Sequence, residues 1–114
     1  MPHTELKYSD DLTLDTETIF TAIEACVNQV DPSAGVCKSR AYPTGEFLHS
    51  HLFISVTLLK KPHRNEDFSQ SLLESLSNEI KPLLIQDCYL SVSLDYVSDY
   101  YTTEYFHAEH SQIN

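Results

Sequence analysis

The residues that could do chemistry in this 114-residue chain lie at its start and in one central block. Pro2 follows Met1. As an ordinary chain residue it is a strand leader, because proline donates no strand hydrogen bond and is tolerated at a strand's first position. A small second residue also normally permits removal of the initiator methionine. Pro2 would then carry a free secondary amine, which can accept a proton as an amide nitrogen cannot. The cations Lys38, Arg40, Lys60, Lys61 and Arg64 cluster within residues 35–65, where Glu46 is the sole acid. Such a cluster binds anions, and it lowers the pKa of an amine beside it. The chemistries these residues offer are an anion site and, where Met1 is lost, a proton acceptor.

Each cation also has a plainer reading. Lys60 and Lys61 read as solubilising residues of a loop. Arg40 reads equally as a surface ion pair at a strand end and as a substrate or structural contact. Arg64 precedes a helix N-terminus, where anions are favoured, and is the better carboxylate ligand.

Other chemistries find less support. His49 and His51 are two residues apart and His107 and His110 are a helical turn apart. No third and fourth ligand follow at a recognisable spacing, so no metal is expected. His3 and His63 could line a pocket, although surface histidine is the commoner case. Cys26, Cys37 and Cys88 are odd in number and lack a C-x-x-C spacing. That argues against a disulfide framework and for a reducing, cytoplasmic setting. A net charge of −10 argues against a nucleic-acid partner. No apolar run approaches the roughly 20 residues that span a membrane.

The elements that must position these residues follow from the changing period of the apolar side chains. Residues 2–8 alternate, with Thr4, Leu6 and Tyr8 on one face. Ile19, Phe20, Ile23, Cys26, Val27 and Val30 form a helical stripe. Asp15 is its N-cap, Leu14 and Ile19 form a hydrophobic staple, and Asp31-Pro32 ends it. A second strand, GVCKSRAY, follows from Gly35 and puts Val36, Lys38, Arg40 and Tyr42 on one face. PTGEFLHS is a turn, and residues 51–59 form a third strand with Leu52, Ile54, Val56 and Leu58 inward. A second helix begins at Glu66 and Asp67, buries Phe68, Leu72, Leu73, Leu76 and Ile80, and ends near Pro82. Residues 89–96 form the fourth strand.

The order is β-α-β, turn, β-α-β, tail. It predicts an α+β two-layer sandwich: duplicated β-α-β units forming a four-stranded sheet with both helices on one face. The other face carries His51, Phe53, Ser55, Thr57, Ser91 and Ser93, a mixture suited to another subunit. Residues 1–114 read as a single domain. The tail 98–114, with Tyr100, Tyr101, Tyr105 and Phe106, is expected to dock on the domain or on a neighbouring subunit.

The start MPH, the strands VCKSRAY and LFISVTLLK, and the helix entry KKPHRNEDF resemble 5-carboxymethyl-2-hydroxymuconate isomerase, of the tautomerase superfamily. The resemblance covers roughly residues 2–97. It implies a homotrimer without cofactor, loss of Met1, and Pro2 as the base. The implied reaction converts a di- or tricarboxylate 2-hydroxymuconate-type dienol to its unsaturated 2-oxo acid. It implies carboxylate-binding roles for Lys38 and Arg40, which match an R-S-R run that here reads KSR, and for Arg64. Lys38 departs from that pattern, having a compact ammonium where the run has a planar fork. A second reading keeps the trimeric fold as a non-catalytic binding protein.

Overall fold

The computed structural model describes residues 1–108. Its order is β1 (His3–Ser9), α1 (Thr16–Val30), β2 (Lys38–Thr44), β3 (His51–Leu58), α2 (Glu66–Ile80), a short 3₁₀ turn (Lys81–Leu83) and β4 (Tyr89–Tyr96). The strands lie in the order β2-β1-β3-β4. β1 pairs parallel with β2, β3 pairs parallel with β4, and β1 meets β3 antiparallel at the centre. Each half is a β-α-β unit with parallel strands, as the sequence predicts.

Period-2 alternation on the strands and helical stripes on α1 and α2 build one core. Leu6, Leu52, Ile54, Val56 and Leu58 point from the sheet, all at most 1% exposed. Ile19, Ile23, Cys26 and Val27 meet them from α1, and Leu72, Leu76 and Ile80 from α2. Asp15 caps α1 by accepting the Thr18 N–H at 3.2 Å. Asn65 caps α2 by accepting the Phe68 N–H at 2.9 Å, a signal the sequence reading passed over in favour of Glu66 and Asp67.

β2 differs from expectation at both ends. It starts at Lys38, not just after Gly35, because α1 captures the preceding backbone. The Asn28 side chain donates to the Gly35 carbonyl at 2.8 Å, and Glu24 accepts the Cys37 N–H at 2.7 Å. Gly35 has φ +77°, which favours glycine there. At the other end β2 runs through Pro43 to Thr44. β2 is an edge strand whose Lys38 N–H points to β1, so alternation aims the Pro43 nitrogen at the open edge, where no donor is needed.

The face away from the helices is mixed and half exposed, with Tyr42, Phe53 and Tyr89 among its polar side chains. His3, Glu5 and Lys7 lie on β1 beside Lys38, Arg40 and Tyr42 of β2. After β4 the described tail has no regular secondary structure, and Tyr100, Tyr105 and Phe106 are exposed. Residues 109–114 of the expected docking tail, and His110 with them, lie outside the described residues. No helix among the described residues is long and apolar enough to cross a membrane.

Thr4 is fully buried on the core face, and its hydroxyl has no partner among the described residues. An unsatisfied buried hydroxyl is costly. Thr4→Val is therefore expected to stabilise the fold by on the order of 1 kcal/mol. Urea denaturation should show a higher midpoint with an unchanged slope. A lower midpoint would mean that the hydroxyl is bonded.

Candidate active site

The first residue of β2 determines what surrounds the chain's amino end. The Lys38 N–H donates to the Pro2 carbonyl at 2.9 Å. Its ammonium donates to the Met1 carbonyl at 3.1 Å. Pro2 is buried at this junction. Lysine carries three donors, so the remaining N–H groups of Lys38 stay open to an anion. Burial lowers the pKa of Lys38.

Two clefts open at this end of the molecule. One, of about 560 Å³, is lined by Met1, His3, Val36, Lys38 and the tail residues Thr103–Phe106. The other, of about 400 Å³, is lined by Lys60, Lys61, Pro62, Arg64 and Tyr96. The amino group of Met1 feels both sets of cations. Burial pushes its pKa down first, and Lys38, Lys61 and Arg64 push it down further. Lys61, read in the sequence as a loop solubiliser, thus belongs to the field around the amino end. Its signal was its place within the KKPHR run.

Arg64 occupies a different environment from the open loop position expected for it. Its side chain is 2% exposed. Nε and one terminal nitrogen reach the same Asp31 oxygen at 2.9 and 2.8 Å, and the other terminal nitrogen donates to the Leu59 carbonyl at 2.8 Å. His63 Nε2 lies 2.8 Å from that Asp31 oxygen, and Ser33 donates to the other carboxylate oxygen. Asp31 caps the C-terminus of α1, so Arg64 ties the end of one helix to the entry of the next. Three of its N–H groups are used, and the fork is closed on Asp31.

Arg40 is also engaged. It pairs with Glu5, its register partner on β1, at 2.9 Å and hydrogen-bonds the Tyr42 hydroxyl at 3.0 Å. A third nitrogen lies 3.1 Å from His3 Nδ1. The ion-pair reading of Arg40 describes these contacts. At this exposure the pair with Glu5 contributes at most about 1 kcal/mol. Of the three predicted anion ligands, Lys38 is the one whose charge no carboxylate pairs with among the described residues.

The duplicated architecture offers an equivalent place at the opposite end of the sheet. His51 of β3 faces Tyr89 of β4 as His3 of β1 faces Lys38 of β2. A cleft of about 320 Å³ lies there, lined by His49, Ser50, Asp87, Cys88 and Tyr89. Asp11 accepts a hydrogen bond from Ser50 beside it. That end carries acids where the first carries cations, so the fold offers clefts at both ends and charge singles out one end for an anion.

The remaining candidates contribute less. The three cysteines are free thiols. Burial, with Glu24 adding to it, pushes the Cys37 thiol up to about 11. Burial likewise raises Cys26 and Cys88. All three therefore disfavour the nucleophilic thiolate. Among the described residues no three His, Cys, Asp or Glu side chains converge as a metal site.

Burial disfavours the charged form of Asp31, but its bonds to Ser33, His63 and Arg64 outweigh that and hold its carboxyl well below the usual range. A depressed carboxylate pKa contributes stability above the unfolded value of about 3.9, and that contribution is lost as pH falls below it. Asp31→Asn strands a buried guanidinium and is expected to cost about 3–5 kcal/mol at neutral pH. The cost should shrink below about pH 4, where wild-type Asp31 also begins to lose its charge advantage. Denaturant titrations at the two pH values test this, and a pH-independent difference would contradict it.

No protein-family model and no curated protein matches the chain. Solved structures do. A 5-carboxymethyl-2-hydroxymuconate delta-isomerase aligns with a TM-score of 0.67 at 18% identity, covering 93% of this chain and 89% of that one. A 5-carboxymethyl-2-hydroxymuconate isomerase from Deinococcus radiodurans R1 gives the same TM-score and identity, covering 93% and 90%. A fused 4-OT symmetric trimer aligns at 0.64 with 17% identity, covering 83% and 85%. Likeness at this identity speaks for architecture: the chain has the fold of 5-carboxymethyl-2-hydroxymuconate isomerase, the tautomerase fold that the sequence resemblance implied.

Proposed function

We propose that this chain, once Met1 is removed, is a cofactor-free tautomerase. Its substrate is a di- or tricarboxylate dienol of the 2-hydroxymuconate type, and its product is the unsaturated 2-oxo acid. The observation that carries the reading is the cationic, partly buried setting of the amino end, with Lys38 bonded to both Met1 and Pro2. Without Met1 the amine is that of Pro2, beside the same Lys38. Burial and cations both disfavour its protonated form, so the free base is populated nearer neutral pH. A base titrating near ambient pH is best matched to shuttle a proton.

The amine nitrogen takes the proton of the 2-hydroxyl. The O–H electron pair forms the 2-oxo group, and the conjugated double bonds shift along the chain. A carbon further along takes the proton back from the prolinium, which regenerates the amine. Lys38 holds a substrate carboxylate through its open N–H groups and stabilises charge on the 2-oxygen. Lys61 supplies the positive wall for a second carboxylate, with Arg64 behind it in the same cleft held by Asp31. Arg40 acts in this account through its neighbours rather than as a gripping fork.

The protein acts as a homotrimer, with the mixed sheet face turned toward the other subunits and the aromatic tail docked on the domain or across the subunit boundary. The trimeric state of a protein with this fold supports this. The second reading, a trimeric binding protein without chemistry, draws on the occupation of Arg40 by Glu5 and of Arg64 by Asp31.

Ketonisation of 2-hydroxymuconate separates the two. Pro2→Ala is expected to lower kcat/KM by roughly 10²–10⁴-fold, the usual contribution of a positioned acid–base group. Lys38→Gln should raise KM and lower kcat, because the same ammonium serves binding and charge stabilisation. Unchanged turnover in Pro2→Ala would remove the base assignment, and inert wild-type protein would favour the binding reading.

A further inference from the structure

His3 has no part in the account above, yet it lies on the wall of the same cleft as Met1 and Lys38. It faces Lys38 directly in the β1–β2 register. Its Nδ1 is 3.1 Å from a terminal nitrogen of Arg40. A guanidinium only donates, so Nδ1 must offer its lone pair. The ring is then neutral and its proton sits on Nε2. Arg40 is itself fixed by Glu5 at 2.9 and 3.1 Å and by the Tyr42 hydroxyl. A chain of side chains across two strands thus selects one tautomer of His3. Nε2 has no hydrogen-bond partner among the described residues.

We propose that His3 presents its Nε2–H to the 2-oxygen of the bound dienol, with Arg40 as the positioning residue that fixes the tautomer. This inference rests on the tautomerase reading of the site. A neutral imidazole is a very weak acid, so it stabilises the developing oxyanion by a hydrogen bond without surrendering its proton. Lys38 supplies charge at the same place and His3 supplies direction. The charged groups around the ring agree with a neutral state. Burial lowers the pKa of His3 first, then Lys38, Arg40 and the amino terminus, against Glu5 alone. Glu104 of the tail lines the same cleft.

The test uses the full chain lacking Met1. Long-range ¹H–¹⁵N correlation NMR at neutral pH, with His3 assigned through His3→Gln, should show protonated Nε2 and bare Nδ1. Arg40→Met should release the lock and populate the other tautomer. In 2-hydroxymuconate ketonisation, His3→Leu should lower kcat by roughly 10²-fold, as loss of an oxyanion donor does. His3→Gln, which keeps a donor near the Nε2 position, should stay within about fivefold of wild type. An active wild type with protonated Nδ1 or an imidazolium overturns the donor role alone. Equal losses in the Leu and Gln variants do the same. A wild type inert toward 2-hydroxymuconate removes the tautomerase reading and this role with it, whatever the tautomer.

Discussion

Lys38 begins β2 by donating its backbone N–H to the Pro2 carbonyl, and that bond sets the geometry of the whole amino end. It places the ammonium against Met1 and puts the lysine opposite His3. Two residues on, the same register sets Arg40 opposite Glu5 and within reach of His3. The register depends in turn on where β2 starts. Glu24 and Asn28 of α1 decide that by holding residues 35–37 away from the sheet. Two helix side chains therefore fix which strand residue meets the chain's start.

The fold supplies two related ends and charge makes them different. The chain is strongly acidic, with net charge −10, yet its cations gather where β1 begins and where the chain enters α2. In a protein of this sign, a local positive field attracts an anion that the remaining surface repels. The buried Asp31–Arg64 pair serves that arrangement indirectly. It holds the 60–65 loop, and Lys61 within it, against the end of α1. An ion pair of this kind is a positioning device more than a source of stability, since desolvation offsets much of its attraction.

The sheet, both helices and their buried faces were legible in the sequence because each depends on a short-range period. Leu52, Ile54, Val56 and Leu58 alternate without interruption, and all four are buried. Asp15 and its staple partners are adjacent in the chain, so the cap of α1 was readable too. What escaped the sequence was pairing across distance. Asp31 lies 33 residues before Arg64, and no local pattern announces that the two meet. Arg64 therefore looked like an open ligand when its fork is closed. The late start of β2 was hidden for the same reason: Glu24 of α1 accepts the N–H of Cys37, a residue beyond the helix and its own short-range period. Arg40 showed both its possible roles, and Glu5 on the neighbouring strand settled its contacts.

The proposed function stands on cations at the amino end lowering the pKa of the proline amine that loss of Met1 would leave. The direct measurement follows the ¹⁵N resonance of Pro2 across pH in untagged protein labelled with ¹⁵N-proline, after intact mass has established the state of Met1. Loss of methionine and a titration below the ordinary range of a proline amine are expected, the titration moving upward in Lys38→Gln. A Pro2 nitrogen that does not titrate, as an amide would not, or that titrates at its ordinary value, would contradict the proposed function.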